Sequence, residues 1–332
     1  EAAENGSSMG MLQLGVMLLN GEDDDDDDDK EKGIFWLEHA SERGNAQAMI
    51  ILGMCYRDGD GVAQDFTRAF EWYLSAARAG ETSAMLTVGE CYEEGKGVTK
   101  DDTTAFEWFW KAANLGDCKA MHKVGLCYEC GKGVTKSLMQ AFDWFYQAAE
   151  NLNVTSMTKL GECYCEGNGV KQDVEKGMLW LRRATYHDDP RAMFLLGSLA
   201  ECGNGDKSDE EIFKLFEKAA CNGILEAISK VGYRYLNGKG VAEDKEHGFE
   251  WFSYGAEKGD TNCMNGLAEC YLNGYGVTKD TEEGFKWYTK SAEKGNAEAM
   301  RRLGHLCENG SIPGIDSDKE KAFEWFLKAA EN

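Results

Sequence analysis

The sequence predicts an all-α fold, a right-handed α-α superhelix (α-solenoid) of about nine 36-residue helix-turn-helix repeats. Three observations predict it. From Ala46, the phrase AMxxLGxCYxxGxGVxxD followed by AFEWFxKAAxxG returns at Thr82, Cys118, Val154, Pro190, Leu225, Thr261 and Ala297, in steps of 36 residues with one step of 35. Each copy carries two apolar stripes at helical spacing, such as Met49, Leu52, Gly53 and Tyr56, then Phe70, Trp72, Tyr73, Ala76 and Ala77. Neither stripe can be buried within its own helix pair, so successive pairs must stack.

Within a copy each boundary has a local cause. Gly59 and Gly61 break the chain between the helices, because glycine adopts left-handed dihedrals without penalty. Asp65 stands where an N-cap of the second helix belongs, and it returns as Asp101, Asp173, Asp244 and Asp280. Gly80, Gly116, Gly259 and Gly295 mark the far end of that helix. A column of mid-helix glycines, Gly53, Gly89, Gly125, Gly161, Gly197, Gly232 and Gly304, implies that another helix comes too close for a side chain, since such a glycine costs about 1 kcal/mol against alanine.

The predicted repeats are 46–81, 82–117, 118–153, 154–189, 190–224, 225–260, 261–296 and 297–332, preceded by a divergent copy over 8–45. Residues 1–7 read as the tail of an earlier repeat, so the chain reads as a piece of a longer repeat protein. The copy at 190–224 loses two aromatics, with Ala200 and Leu215 in the Tyr and Trp columns. The last copy has Cys307 where Tyr is usual and a longer loop over Gly310–Gly314. Residues 22–30 are predicted to be a disordered acidic loop, because Asp23–Asp29 repel one another.

Composition narrows the function. With 36 Lys and Arg against 59 Asp and Glu the net charge is −23, which repels phosphate backbones and anionic lipid and makes nucleic acid and membranes poor partners. No run of 18 apolar residues is present, so no membrane insertion is expected.

The stretch AMLTVGECYEEGKGVTKDDTTAFEWFWKAANLG, Ala84–Gly116, resembles the Sel1-like repeat, a relative of the tetratricopeptide repeat. Leu-Gly-x-x-Tyr, Gly-x-Gly-Val and Ala-x-x-Trp-Phe/Tyr-x-x-Ala-Ala carry the resemblance across essentially the whole chain. It implies an adaptor scaffold whose first helices line the concave side, and it transfers no catalytic residue.

The twelve cysteines read as core thiols rather than a disulfide framework. Cys55, Cys91, Cys127, Cys163 and Cys270 share one column, whose members on neighbouring layers would stand about 10 Å apart, beyond bridging reach. Cys127-Tyr128-Glu129-Cys130 and Cys163-Tyr164-Cys165 lack a second pair at zinc spacing. His39, His122, His187, His247 and His305 fall in different columns, and no catalytic motif accompanies them. The Trp column from Trp36 to Trp325 reads as core.

The remaining polar columns of the first helix hold Glu90, Glu93, Glu94, Glu129, Glu162, Glu166, Glu201 and Glu269, with Lys119, His122 and Arg191 as the main basic interruptions. Exposed apolar anchors are expected on the same columns at Ile50, Leu86, Leu126, Phe194 and Tyr233. These features predict an acidic concave groove for a basic protein or peptide, although the acids equally read as the solvated face of an acidic protein. The expectation is therefore a monomeric, cytoplasmic, non-enzymatic scaffold with no metal and no cofactor. Two other readings stay open: the recruiting module of an enzyme whose catalytic domain lies elsewhere, and a secreted host-contact factor.

Overall fold

In the computed structural model, residues 7–21, 27–310 and 318–331 are described. They form eighteen α-helices and no strand. The chain divides into two compact units, Glu1–Asp173 and Val174–Asn332. The first contains α1 (Ser8–Leu19), α2 (Asp27–Glu42), α3 (Ala46–Asp58), α4 (Phe66–Arg78), α5 (Thr82–Glu94), α6 (Asp102–Asn114), α7 (Cys118–Cys130), α8 (Leu138–Glu150) and α9 (Val154–Glu166). The second contains α10 (Val174–Tyr186), α11 (Pro190–Glu201), α12 (Asp209–Cys221), α13 (Leu225–Asn237), α14 (Lys245–Glu257), α15 (Thr261–Asn273), α16 (Thr281–Glu293), α17 (Ala297–Glu308) and α18 (Lys319–Glu331). Within each unit a first helix packs on the second helix of its repeat, which packs in turn on the first helix of the next repeat.

The helices start and stop where their residues satisfy free backbone groups. Asp65 accepts from the N–H groups of Thr67 and Arg68, and Asp101 does the same for Thr103 and Thr104. First helices use Asn45, Asp117 and Asn153 in this role and end on a left-handed glycine, as at Gly59 and Gly95. The second glycine of the Gly-x-Gly turns, Gly205 excepted, answers to packing between repeats. A Cβ on Gly97 would strike the carbonyl of Phe66 in the first turn of α4, and one on Gly133 would strike that of Asp102. In the copy at 190–224, Ser208 and Glu211 form a capping box at the start of α12.

A repeated ring contact stitches the repeats together. Phe70 meets Tyr92 edge to face at 5.3 Å, Phe106 meets Tyr128 at 5.4 Å and Phe142 meets Tyr164 at 5.3 Å. Phe213–Tyr235 and Phe249–Tyr271 repeat this in the second unit at 5.3 and 5.6 Å. Each such pair is worth roughly 1 kcal/mol beyond burial. Ala200 cannot make the contact, and Cys307, 2% exposed, packs on Phe285 without one.

Trp72, Trp108, Trp287 and Trp325 lie partly in the core, and a cation covers two rings of this column, Lys111 over Trp108 at 4.4 Å and Lys290 over Trp287 at 4.0 Å. All twelve cysteines are thiols. Burial, then nearby carboxylates, pushes Cys55 up to about 11, and burial, then Glu269, pushes Cys270 up to about 12.

One expectation fails. Residues 22–26 and the loop at 311–317 lie outside the described residues, but the end of the acidic run is helical rather than loop, because α2 begins at Asp27. Carboxylates suit the positive pole of a helix start, and Lys32 donates to Asp29 at 2.7 Å across one turn.

Candidate functional site

The acids of the first-helix columns do not stand alone. In the first unit, Lys123 on α7 donates to Glu93 on α5 at 2.8 Å and lies 3.9 Å from Glu90. Lys132 approaches the other oxygen of Glu93 at 3.5 Å, and Lys96 holds Glu94 at 2.5 Å. One repeat further, Lys159 on α9 is shared between Glu129 on α7 at 3.3 Å and Glu162 at 3.4 Å. Glu166 accepts from Asn168 at 2.6 Å.

The second unit repeats the pattern on its own helices. Glu201 on α11 takes Lys230 at 2.6 Å and Arg234 at 3.0 Å, both from α13. Glu269 on α15 takes Arg302 of α17 at 3.5 Å and hydrogen bonds from the hydroxyls of Tyr233 and Tyr288.

The cations that matter are therefore Lys123, Lys159, Lys230 and Arg302, not the expected Lys119, His122 and Arg191. All four occupy one column of the repeat, so the signal was present in the sequence. What was missing was the knowledge that this column faces the acids of the preceding copy. Arg191 is spent on Glu226 at 2.9 Å.

The titration behaviour follows from this geometry. Burial works against the charge on Glu93, yet Lys123 and Lys132 win and hold it below the usual carboxylate range. For Glu90 burial dominates and raises it, with Lys123 too distant to compensate. Glu269 is raised for the same reason, despite Arg302.

His122 is neutral. Burial, then the charges of Lys159 and Lys123, lowers it from 6.5 to about 4, while its Nδ1 and the Oγ of Ser156 hydrogen-bond at 2.8 Å. Between those pH values the folded chain binds fewer protons at this site than the unfolded chain. The site's contribution to stability is thus complete above pH 6.5 and is lost as the pH falls toward about 4. His122→Gln keeps a hydrogen-bonding group without titrating, so it should flatten the stability–pH curve in that window. An unchanged slope in urea titrations across the window would refute the assignment.

The apolar anchors are less available than expected. Ile50 is buried, and Leu86, Leu126, Phe194 and Tyr233 are only partly exposed. Phe194 lies 5.9 Å from Phe216 and Tyr233 lies 4.8 Å from Phe252, because the first-helix columns beside the glycine column lean onto those core rings.

Among the described residues, no group of three or more His, Cys, Asp or Glu side chains is placed to hold a metal, and no helix is long and apolar enough to cross a membrane. The arrangement presents carboxylates and amines in alternating rows.

Comparison with known proteins agrees with the architecture. The chain is similar to c5321, described as a protective antigen of uropathogenic Escherichia coli strains displaying an SLR fold, with a TM-score of 0.83, 29% identity, and coverage of 99% of this chain and 70% of that one. It is also similar to a Sel1 repeat protein from Oxalobacter formigenes, with a TM-score of 0.73, 28% identity, and coverage of 92% and 89%. A comparison with curated protein sequences returned no match. Sel1 repeat proteins generally act as protein-interaction scaffolds and are typically non-catalytic. The Sel1 repeat model matches residues 8–45, 46–81, 82–117, 118–151, 154–189, 190–224, 225–260, 261–296 and 297–332, and the chain belongs to the Sel1 repeat family.

Proposed function

We propose that the chain is a non-catalytic scaffold that holds a basic segment of another protein on the first-helix face of α5, α7 and α9. One observation carries this reading: Lys123 and Lys159 are each divided between two carboxylates, Glu90 with Glu93 and Glu129 with Glu162. A carboxylate has about four lone-pair positions, so shared lysines leave acceptor capacity unspent on three consecutive repeats. Glu94 and Glu166, both exposed, extend the row outward. The partly exposed Leu86 and Leu126 supply apolar contact between the acids. In the second unit, Phe194, Glu201, Tyr233 and Glu269 offer a separate face of similar chemistry.

The test is fluorescence anisotropy with a labelled octalysine peptide, beside an octaglutamine control. Octalysine should bind, and more weakly as salt rises. Replacing Glu90, Glu94, Glu162 and Glu166 together by Gln should weaken it on the order of tenfold, with helicity by circular dichroism unchanged. Neutral Gln avoids setting new lysines against Lys123 and Lys159. Equal binding of octalysine and octaglutamine, or equal binding by the variant, would overturn the proposal.

A further inference from the structure

Between α12 and α14 lies an open cleft of about 450 Å³ lined by Ala220, Cys221, Glu250, Trp251 and Tyr254. Two columns of the repeat open it. In the column three residues after the tryptophan, other copies place a cation over the indole: Lys111 over Trp108 at 4.4 Å, Arg183 over Trp180 at 4.6 Å, Lys290 over Trp287 at 4.0 Å and Lys328 over Trp325 at 4.6 Å. After Trp251 that column carries Tyr254, which is 48% exposed. In the column that ends the second helix, other copies carry Arg78, Asn114, Glu150, Tyr186, Glu257 and Glu293, and here the short Cys221 stands in their place. Trp72 and Trp144 are also followed by uncharged residues, Ser75 and Gln147, but the preceding helices end there on Glu42 and Asn114, and no second ring is added.

The walls and the charge select the occupant. No Lys, Arg or His lines the cleft, whereas the exposed Glu250 does. His247, one turn before Glu250, is held by Asp244 at 2.8 Å. Lys258 stands 5.5 Å from the Tyr254 ring, farther than any of the four cations on the tryptophans, and is not part of the lining. A ring face attracts a cation through its quadrupole, best at an indole. Glu250 and the net charge of −23 both repel an anion. A primary ammonium has three N–H donors to satisfy, for which the lining side chains offer oxygen only at Glu250 and the Tyr254 hydroxyl. A quaternary ammonium has no donor to satisfy and spreads its charge over methyl groups that rest on ring faces.

We infer that this cleft binds a quaternary ammonium group, with its methyl groups against the rings of Trp251 and Tyr254 and its charge balanced by Glu250. The group takes the place that Lys111, Arg183, Lys290 and Lys328 hold in their own repeats. The site is built from second helices, apart from the first-helix acids, so it stands or falls separately from the scaffold reading.

The experiment uses the whole chain labelled with ¹⁵N-tryptophan and titrated with choline. The Trp251 indole signal, assigned by its loss in Trp251→Phe, should shift and saturate. The uncharged tert-butyl analogue of choline has the same shape and should leave the signal in place, and unmethylated ethanolamine should bind more weakly. Tyr254→Lys, which restores the residue found in this column at Lys111 and Lys290, should cover the indole from within and weaken choline by on the order of tenfold. Tyr254→Phe keeps the ring and should bind as the parent does. An unmoved Trp251 signal, an equal response to the tert-butyl analogue or to ethanolamine, or undiminished binding by Tyr254→Lys would each overturn the inference. The Nε-trimethyl-lysine amide should bind the same site. Tighter binding of that amide than of choline supports the site with a protein side chain as the source of the group, and the reverse order supports it with a small molecule.

Discussion

Gly125→Leu should destabilise its repeat by about 3 kcal/mol, the upper range for overpacking, against which the better helix propensity of leucine returns only about 1 kcal/mol. Gly125 sits in mid-α7, and a Cβ there would lie 2.5 Å from Cε1 and 2.6 Å from Cδ1 of Phe145 on α8. Phe145 is fully buried, so its ring has nowhere to go. Gly89 meets Phe109 and Gly53 meets Tyr73 in the same way, which explains why the column is glycine. The intruder is thus a ring from the partner helix of the same repeat rather than a backbone drawn close. Because repeat arrays unfold in segments, amide exchange across α7 and α8 should rise before the rest of the first unit. Adding Phe145→Ala should recover part of the loss. An unchanged melting curve for Gly125→Leu would refute the packing.

Arg234→Ala should cost about 3 kcal/mol, the lower range for breaking a buried ion pair. Arg234 stands in the column that holds Cys55, Cys91, Cys127, Cys163 and Cys270 in other copies, and it is 3% exposed. Its Nη1 donates to the carbonyls of Asp209 at 3.2 Å and Lys239 at 3.1 Å, and its Nη2 to Glu201 at 3.0 Å. It thereby ties α13 to the copy at 190–224, in which Ala200 cannot make the ring contact found between other repeats. The loss stays at the lower end because Lys230 remains on Glu201 at 2.6 Å. Arg234→Met keeps the stem near the Phe216 ring, which the guanidinium now covers at 5.4 Å, but makes none of the bonds. The urea midpoints of both variants should fall by similar amounts; a Met variant as stable as the parent would sink the assignment.

Much of the fold was legible because its causes are local. Asp65 and Asp101 cap helices in the structure for the reason their spacing suggested. Gly59 and Gly95 end helices in the left-handed conformation that glycine permits. The acidic run was misread at its end because self-repulsion was weighed without the helix terminus that receives Asp27–Asp29.

The candidate face was legible only in half. The lysine column beside the glutamates was overlooked. Lys123 and Glu93 are 30 residues apart, on successive repeats. Nothing within one repeat says that they meet.

The sequence by itself determined the repeat, the helix ends and the apolar stripes, because each depends on residues within a turn or two of one another. Only the tertiary structure decided which columns face each other across repeats. That register is set where Phe and Tyr rings seat against glycine and against the next helix, and it divides the lysines among the carboxylates while leaving the hydroxyl of Tyr73 without a partner.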